Sequence, residues 1–271
     1  MKRHYKKISV VLLAATILLL LAGCGKNKGE EDSVLKEGQS DVEYIQSKGT
    51  LLVGVTDFAP LDYHDGNQWT GFDAELAEAF AQSLGVKLKL VEIDWDKKTE
   101  LLKKGSIDCI WNGMTMSEEL QETISCSDPY LSNAQVVVLR EGETDKYSTA
   151  KDCQHLLFAV EAGSTGQSLL KEMKYRYTSF STQKEALQSV SEKKADAAVT
   201  DIIMAAYYTG AGQEFDDLGF SISLNNEKIC VGCRKNSDLT EKINEFLNAA
   251  YEDGTISSLA EQYGISNAVL E

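Results

Sequence analysis

From residue 50 onwards, short apolar segments alternate with longer amphipathic ones, and this alternation constrains the fold more than any other feature of the chain. In "FDAELAEAFAQSLG", Leu76, Ala77, Phe80 and Leu84 recur at helical spacing, and Gly85 marks the end of the helix. The neighbouring segments predict strands at 50–56, 86–93 and 106–113 and a second helix at 97–105. Strands that alternate with helices form β-α-β units, so we expect a mostly parallel sheet covered by helices.

A second unit of the same kind follows. It predicts strands at 155–160 and 195–200, a turn and helix at 163–173, and a helix at 182–194. "KKGSIDCIW" and "EKKADAAVT" correspond most closely, because in each a helix ends in Lys-Lys, which suits the negative end of its dipole, and an Asp then precedes an apolar strand. We therefore expect an α/β protein of two similar lobes, with extended segments at 128–140 and 221–232 linking them and the last two helices capping one lobe.

The N-terminal segment has the pattern of a bacterial lipoprotein signal. Lys2, Arg3, Lys6 and Lys7 precede the run "VVLLAATILLLLAG", which is shorter than the roughly 20 apolar residues of a spanning helix. The run ends at Cys24, and "LAGC" resembles a lipobox, whose Cys is acylated and becomes the mature N-terminus. An uncleaved anchor or an ordinary signal peptide is the alternative. The predicted organisation is a signal peptide at 1–23, a lipidated Cys and flexible tether at 24–41, lobe one at 42–133 plus 226–271, and lobe two at 134–225.

The formal net charge of −15 argues against anionic binding partners. Removal of residues 1–23 would remove four positive charges and no acidic ones, so the mature chain would be more negative still. Such a chain is repelled by nucleic acid and by anionic lipid, and we expect no nucleic-acid partner. The sequence has no cofactor-binding motif and no metal-ligand spacing, so we expect no cofactor, and a monomer is the default.

The cysteines besides Cys24 are odd in number and cannot all pair within one chain. They are Cys109, Cys126, Cys153, Cys230 and Cys233. The spacing in "CVGC" is compatible with a redox or zinc site, but this CxxC motif stands alone and lies inside a strand-like run. We predict that these two residues are small apolar members of a strand.

Ligands of open α/β sheets bind outside the carboxyl ends of the strands, so residues at those ends are the candidates for a binding site. Asp57 could instead be a turn residue, Trp95 a core residue, Glu161 a solvated carboxylate and Asp201 a helix N-cap. Trp111 lies inside an apolar strand and is predicted to belong to the core. The predicted ligand-binding residues are Asp57, Phe58, Trp95, Asn112, Gly113, Thr115, Glu161, Ser164, Thr165, Thr200 and Asp201.

The chain resembles the periplasmic-type substrate-binding proteins of polar amino acid ABC importers. The resemblance covers about residues 44–264 and rests on an ordered set of stretches rather than on one motif. They are "LLVGVTDFAPLDY", "GFDAELAEAFAQSLG", "GSIDCIWNGMTMSEE", "CSDPYLSNAQVVV", "FAVEAGSTG", "ADAAVTD" and "YEDGTISSLAEQYG". The resemblance implies a two-lobe fold of type II, in which two hinge strands join the lobes and the lobes close on a small ligand.

In lobe one, the resemblance implies a role for each matching residue. Asp57 and Phe58 match positions that touch the ligand side chain, and Trp95 matches the aromatic residue that stacks on it. Gly113 and Thr115 match positions whose carbonyl and hydroxyl hold the ammonium or the carboxylate of the ligand.

In lobe two, Glu161 matches a position that faces the ligand. Thr165 matches a carboxylate binder at a helix N-terminus, and Asp201 matches the carboxylate that pairs with the α-ammonium.

One position departs from the family pattern "T-x-[ST]-x-x-R", in which the Arg grips the α-carboxylate of the ligand. Leu120 occupies the Arg position, and no Arg occurs from residue 4 to residue 139. Lys is a poor substitute for a planar guanidinium, and we predict that Lys97 and Lys98 are solvated residues at a helix start. Either backbone N–H groups after Ser164 hold the carboxylate alone, or the ligand is a small cationic solute that lacks an α-carboxylate.

The resemblance implies the extracytoplasmic solute-binding component of an ABC importer, and the N-terminal pattern predicts that it is lipid-anchored to the outer face of the bacterial cell membrane. It would bind a small polar solute, by preference an amino acid, and deliver it to an ABC permease. A surface lipoprotein that senses a ligand is an alternative. An enzyme has little support, because the histidines lie in no recognisable catalytic motif, although a few dehydratases share the two-lobe fold.

Overall fold

The computed structural model describes residues 39–270. The predicted signal peptide, Cys24 and nearly all of the predicted tether therefore lie outside the described residues. The helices are α1 (Asp41–Lys48), α2 (Phe72–Ser83), α3 (Lys98–Lys103), α4 (Glu118–Thr123), α5 (Thr165–Glu172), α6 (Gln183–Ser191), α7 (Ile202–Tyr208), α8 (Leu239–Glu252) and α9 (Thr255–Gln262). The strands are β1 (Thr50–Val55), β2 (Tyr63–Asp65), β3 (Gln68–Thr70), β4 (Lys87–Glu92), β5 (Cys109–Thr115), β6 (Ser125–Cys126), β7 (Leu131–Asn133), β8 (Gln135–Arg140), β9 (Leu157–Glu161), β10 (Arg176–Phe180), β11 (Ala197–Asp201), β12 (Leu218–Ser223) and β13 (Glu227–Cys233).

The first large sheet has the strand order β4-β1-β5-β13-β6, and β7 pairs with β13. β1 is parallel to β4 and β5, because α2 and α3 carry the chain back between these strands, whereas β13 is antiparallel to β5. The rings of Phe80 in α2, Trp111 in β5 and Phe246 in α8 pack together with centroids 5.4 to 6.3 Å apart. Trp111 is fully buried, which confirms its predicted place in the core.

The second large sheet has the order β10-β9-β11-β8-β12. β9 is parallel to β10 and β11, and β8 is antiparallel to β11 and β12. The sequence analysis missed β10, since it is an edge strand whose residues are exposed or half-buried and show no apolar alternation. The two sheets, each with its own helices, confirm the predicted α/β architecture of two lobes.

Between residues 39 and 270, the chain crosses between the two sheets twice. β7 of the first sheet is followed, after Ala134, by β8 of the second sheet. The chain returns from β12 in the second sheet to β13 in the first. Both crossings fall in the extended segments that were predicted to link the lobes, so polar residues near them lie between the two sheets.

In each sheet, an aspartate that precedes a strand makes the same kind of contact with the neighbouring strand. Asp108 Oδ2 accepts a hydrogen bond from the Leu52 N–H at 2.8 Å, and Asp196 Oδ2 accepts one from the Leu157 N–H at 2.8 Å. Each carboxylate therefore ties the start of one parallel strand to its neighbour. The shared contact gives a physical basis for the internal similarity that the sequence predicted.

Cys230 and Cys233 lie buried in β13, as predicted, and the described cysteines are free thiols. Within residues 39–270, no helix is both long enough and apolar enough to cross a membrane.

Candidate functional site

A cavity of about 400 Å³ lies where strands of both sheets end. The first sheet contributes the ends of β1 and β5, and the second contributes the ends of β9 and β11. Both lobes therefore supply one site, as the rule for open α/β sheets predicts. Among the predicted ligand-binding residues, those that line the cavity are Phe58, Trp95, Asn112, Gly113, Thr115, Glu161, Ser164, Thr165 and Asp201.

Two predicted residues, Asp57 and Thr200, do not line this cavity. Asp57 is half-buried beside the first lobe's cavity wall, and its burial raises the pKa of its carboxyl while the charge of Lys184 opposes that shift. Thr200 is buried in β11, where successive side chains point to opposite faces, so it points away from the face that Asp201 presents.

The side-chain amide of Asn112 is hydrogen-bonded to neighbouring protein groups, although the residue lines the cavity. Its Oδ1 accepts hydrogen bonds from the N–H and the hydroxyl of Thr56 at 3.0 and 2.8 Å. Its Nδ2 donates to Thr56 O at 3.0 Å and to Asp62 Oδ2 at 2.7 Å. The side chain therefore fixes the end of β1 against the end of β5, which sets the shape of this wall.

Gly113 lets the aromatic wall approach the strand. Its φ is +57°, and a Cβ placed there would lie 2.3 Å from the Phe58 ring. Its N–H donates to Asp73 Oδ2 at 2.8 Å. The position thus requires glycine both for its backbone conformation and for the space that the ring occupies.

Asp201 is oriented by side-chain amides that the sequence analysis did not identify. Gln135 Nε2 donates to Asp201 Oδ1 at 2.9 Å, Gln183 Nε2 donates to Oδ2 at 2.5 Å, and Asn133 Nδ2 also donates to Oδ1. Burial and the nearby Glu227 raise the pKa of Asp201 to about 7, against the opposing effect of these amides. Asp201 occupies the N-cap position of α7 but its side chain does not cap the helix, so the carboxylate stays directed to the cavity and the amides.

Glu227, another residue that the sequence analysis missed, connects the two lobes at this point. Its Oε2 accepts hydrogen bonds from Thr115 Oγ1 at 2.8 Å, Asn133 Nδ2 at 3.0 Å and Gln135 Nε2 at 3.2 Å. Thr115, predicted to hold the ligand, therefore already donates its hydroxyl proton to a protein carboxylate. Since the same two amides also reach Asp201, one network joins the end of β5 to the end of β11.

Glu161 ends β9 and is 3% exposed, yet it lines the cavity. None of the ion pairs formed by residues 39–270 involves it. Burial, together with the charge of Asp201, raises the pKa of Glu161 to about 8. A nearly buried carboxyl that faces a cavity without a paired cation favours a positively charged group in that cavity.

Lys98 lies in the site, which differs from its predicted place as a solvated residue. Its ammonium donates to Gly163 O at 2.8 Å and to Trp95 O at 3.2 Å, and lies 4.5 Å from the centroid of the Trp95 ring. Burial lowers the pKa of Lys98 to about 8, against the opposing charge of Glu161. Lys97, in contrast, is exposed and pairs with Asp94, as a residue at a helix start would.

The Lys98 contact joins the two walls of the cavity. Lys98 belongs to the first lobe and Gly163 to the loop before α5 in the second. The backbones also meet here, since a Cβ on Gly163 would lie 2.5 Å from Asp96 Cα. The two walls of the cavity therefore touch at this point.

Ser164 and Leu120 show how the two helix starts at the cavity differ. Ser164 Oγ accepts a hydrogen bond from the Gln167 N–H at 3.1 Å and so caps α5, which begins at Thr165. Leu120 lines the cavity from α4, where its N–H donates to Ser117 Oγ at 3.2 Å. The α4 start thus presents the apolar side chain of Leu120 to the cavity beside the exposed carboxylate of Glu119.

The arrangement can hold a small solute with positive charge. The carboxyl groups of Glu161 and Asp201, the Trp95 ring and the Lys98 side chain line the same cavity, and the Lys98 ammonium lies over the Trp95 ring. Carboxylates pair with ammonium or guanidinium groups, and an aromatic face attracts cations.

Known proteins resemble the chain over most of its length. The family described as bacterial extracellular solute-binding proteins, family 3, matches residues 51–266. The chain is 26% identical over 268 residues to the arginine-binding extracellular protein ArtP of Bacillus subtilis (strain 168), covering 95% of this chain and 98% of ArtP.

Two solved structures extend the comparison. A substrate-binding protein of an ABC uptake transporter from Streptococcus pneumoniae with bound histidine matches at a TM-score of 0.80 and 27% identity, over 87% of this chain and 100% of that one. The ancestral amino acid-binding protein AncCDT-1, a precursor of cyclohexadienyl dehydratase, matches at a TM-score of 0.77 and 32% identity, over 83% of this chain and 99% of that one. The two-lobe periplasmic-binding-protein fold is thereby confirmed.

Proposed function

Because the chain belongs to the bacterial extracellular solute-binding proteins of family 3, we propose that its solute is an amino acid with a positively charged side chain. The observation that carries the proposal is the pair of nearly buried carboxyl groups, Glu161 and Asp201, that face one cavity. One carboxylate suits the α-ammonium and the other the side-chain cation. The arginine-binding relative ArtP supports this choice of solute.

Closure of the lobes around the solute is the proposed mechanism. Phe58 and Trp95 come from one lobe and Glu161 and Asp201 from the other, so a bound solute gains all four contacts only when the lobes are together. A solute that binds the closed arrangement better than an open one shifts the protein towards closure. The closed protein then delivers the solute to an ABC permease.

The finer features of location and organisation belong to the same proposal. The family is extracellular, and we infer that Cys24 carries the lipid anchor on the outer face of the cell membrane after removal of residues 1–23. Lobe one would comprise 42–133 plus 226–271, and lobe two 134–225. The protein would act as a monomer that binds and releases its solute without chemical change.

A thermal-shift screen of the purified protein tests the proposal. The panel contains the standard amino acids, their decarboxylated amines, quaternary ammonium compounds and polyamines. A ligand at 100-fold above its dissociation constant adds about 2.7 kcal/mol to the free energy of unfolding. We expect L-arginine, L-lysine or L-histidine to raise the melting temperature more than any neutral or acidic amino acid.

Each other outcome of the screen has a defined meaning. A shift with amines but not with amino acids would assign the site to cations without a carboxylate, which the apolar Leu120 at the cavity also suits. A shift only with neutral or acidic amino acids would contradict the proposed pairing with Glu161.

A further inference from the structure

We propose that Lys98 binds the carboxylate of the solute and makes the site select an amino acid over the amine with the same side chain. This inference rests on the proposed function, because it requires an amino acid in the cavity. It assigns a specificity-determining role to a residue that the strand-end rule does not reach, since Lys98 is the first residue of α3.

The charges of the cavity point to Lys98. Within the part of the chain that the structure describes, it is the one cationic residue that lines the cavity, and no carboxylate lies within ion-pair distance of its ammonium. Its protein acceptors are two neutral carbonyl oxygens, Gly163 O and Trp95 O. An ammonium has three N–H donors, so one donor is left for a solute. A carboxylate is the acceptor that a half-buried ammonium binds most strongly.

The surroundings of Lys98 suit an anion at the same place. Lys98 contacts the carbonyl of Gly163, and the chain then passes through Ser164 into α5 at Thr165. Ser164 and Thr165 both line the cavity. The first N–H groups of a helix lack intrahelical acceptors and favour negative charge, so they would add to the attraction that Lys98 exerts.

The rest of the cavity then accounts for the other charges of the solute. Glu161 interacts electrostatically with both Lys98 and Asp201, so the three groups lie around one space. An α-amino acid with a cationic side chain places one negative and two positive groups there. Of the carboxyl groups that line the cavity, Glu161 and Asp201 are buried and Glu119 is exposed. Lys98 and the two buried carboxyl groups match the charges of such a solute sign for sign, whereas the corresponding amine would offer Lys98 no anionic partner.

Two simpler roles for Lys98 predict different results. If it served only as a counter-ion for Glu161, its removal would strengthen the binding of every cationic ligand, because a competing positive charge would be gone. If it served only to hold the walls together through Gly163, its removal would weaken all ligands by the same factor. Only a contact with the carboxylate affects the amino acid and spares the amine.

The test is calorimetric titration of the purified full chain with two pairs of ligands, L-arginine with agmatine and L-lysine with cadaverine. The variants are Lys98→Met, Lys98→Arg and the matched control Lys97→Met, whose side chain is exposed and lies outside the cavity. Circular dichroism and the melting temperature check that each variant folds.

We expect the wild-type protein to prefer each amino acid to its amine. Lys98→Met should weaken the binding of the amino acids by at least about 30-fold, the scale for truncating one partner of a buried charge pair, and leave the amines unchanged or tighter. Lys98→Arg should keep the preference, and Lys97→Met should change no affinity by more than about threefold, since exposed ion pairs contribute little.

Three results would overturn the inference. If Lys98→Met weakens amino acids and amines equally, Lys98 only joins the walls, and the proposed function stands. If wild type binds amines as tightly as amino acids, the carboxylate is not recognised, although binding of cations stands. If wild type binds neither these four ligands nor L-histidine, the proposed function fails and the inference fails with it.

Discussion

Replacement of Glu161 by Gln should stabilise the unliganded protein at alkaline pH while it weakens binding. The wild-type carboxyl is 3% exposed, and burial raises its pKa from an ordinary 4.5 to about 8. A folded-state pKa above the unfolded one means that the folded protein keeps a proton that the unfolded chain has lost. The stability that this group contributes is therefore complete below pH 4.5 and is lost as the pH rises through 8.

The magnitude follows from the shift in pKa. Each unit corresponds to 1.36 kcal/mol, so the wild type should lose about 4 kcal/mol relative to the Gln variant between pH 4.5 and pH 8. In the variant, Lys98 loses its attraction to Glu161, which offsets part of the gain. We therefore expect the free energy of unfolding of the variant to exceed that of wild type by about 2–4 kcal/mol near pH 8. This is the order of magnitude of the cost of an unpaired buried charge.

The assay is urea unfolding at pH 5 and pH 8.5 without ligand, with Glu172→Gln, an exposed change on α5, as the control. The advantage of Glu161→Gln over wild type should grow between the two pH values, and Glu172→Gln should follow wild type. In Glu161→Gln, the affinity for L-arginine should fall by at least about 30-fold. Parallel pH profiles for Glu161→Gln and wild type would refute the reasoning, because they would mean that folding does not shift the pKa of Glu161.

Two further predictions concern the aromatic wall. Trp95→Leu should weaken the binding of L-arginine about tenfold in calorimetry, because a cation over an aromatic face contributes about 0.5–2 kcal/mol. Trp95→Phe should retain most of the affinity. Equal affinities of the Leu variant and wild type would contradict a stacking role. Gly113→Ala should lower the free energy of unfolding by about 2–4 kcal/mol, since its Cβ would meet the Phe58 ring at 2.3 Å and its φ is +57°. The control Gly105→Ala, with φ +73° and nothing within 4 Å, should cost only about 1 kcal/mol.

The fold was predictable where a buried face imposes a period on the sequence. The helix predicted at 72–85 is α2 (Phe72–Ser83), and the strand predicted at 86–93 is β4 (Lys87–Glu92). β10 was not predicted because an edge strand needs no apolar alternation. The small hairpin of β2 and β3 escaped for the same reason, since its residues are exposed or half-buried.

The site was predictable only as far as the topology determines it. Strand ends identify Glu161 and Asp201, because the ends of parallel strands meet at one edge whatever the side chains are. Lys98 could not be found in this way. Its contact with Gly163 joins residues 65 positions apart through a long, flexible side chain. A local sequence pattern does not predict where the ammonium of such a side chain lies.

Two of the three amides that orient Asp201, those of Asn133 and Gln135, flank a point where the chain crosses between the sheets, and the third, Gln183, begins α6. We expect this placement to couple binding to closure. Asn133 ends β7, Gln135 begins β8, and Glu227 begins β13. A ligand cation at Asp201 would therefore bind a carboxylate whose hydrogen-bond donors sit on both sides of one crossing. A change in the angle between the lobes must move those donors relative to one another, since rotation at a hinge is absorbed by a few residues at the ends of elements. We therefore expect the Asn133 contact with Asp201 to change with the angle between the lobes, while Gln135 and Gln183 hold the carboxylate from its own lobe. Because these amides come from three separate elements, a pattern confined to strand ends identifies the carboxylate but not the groups that hold it.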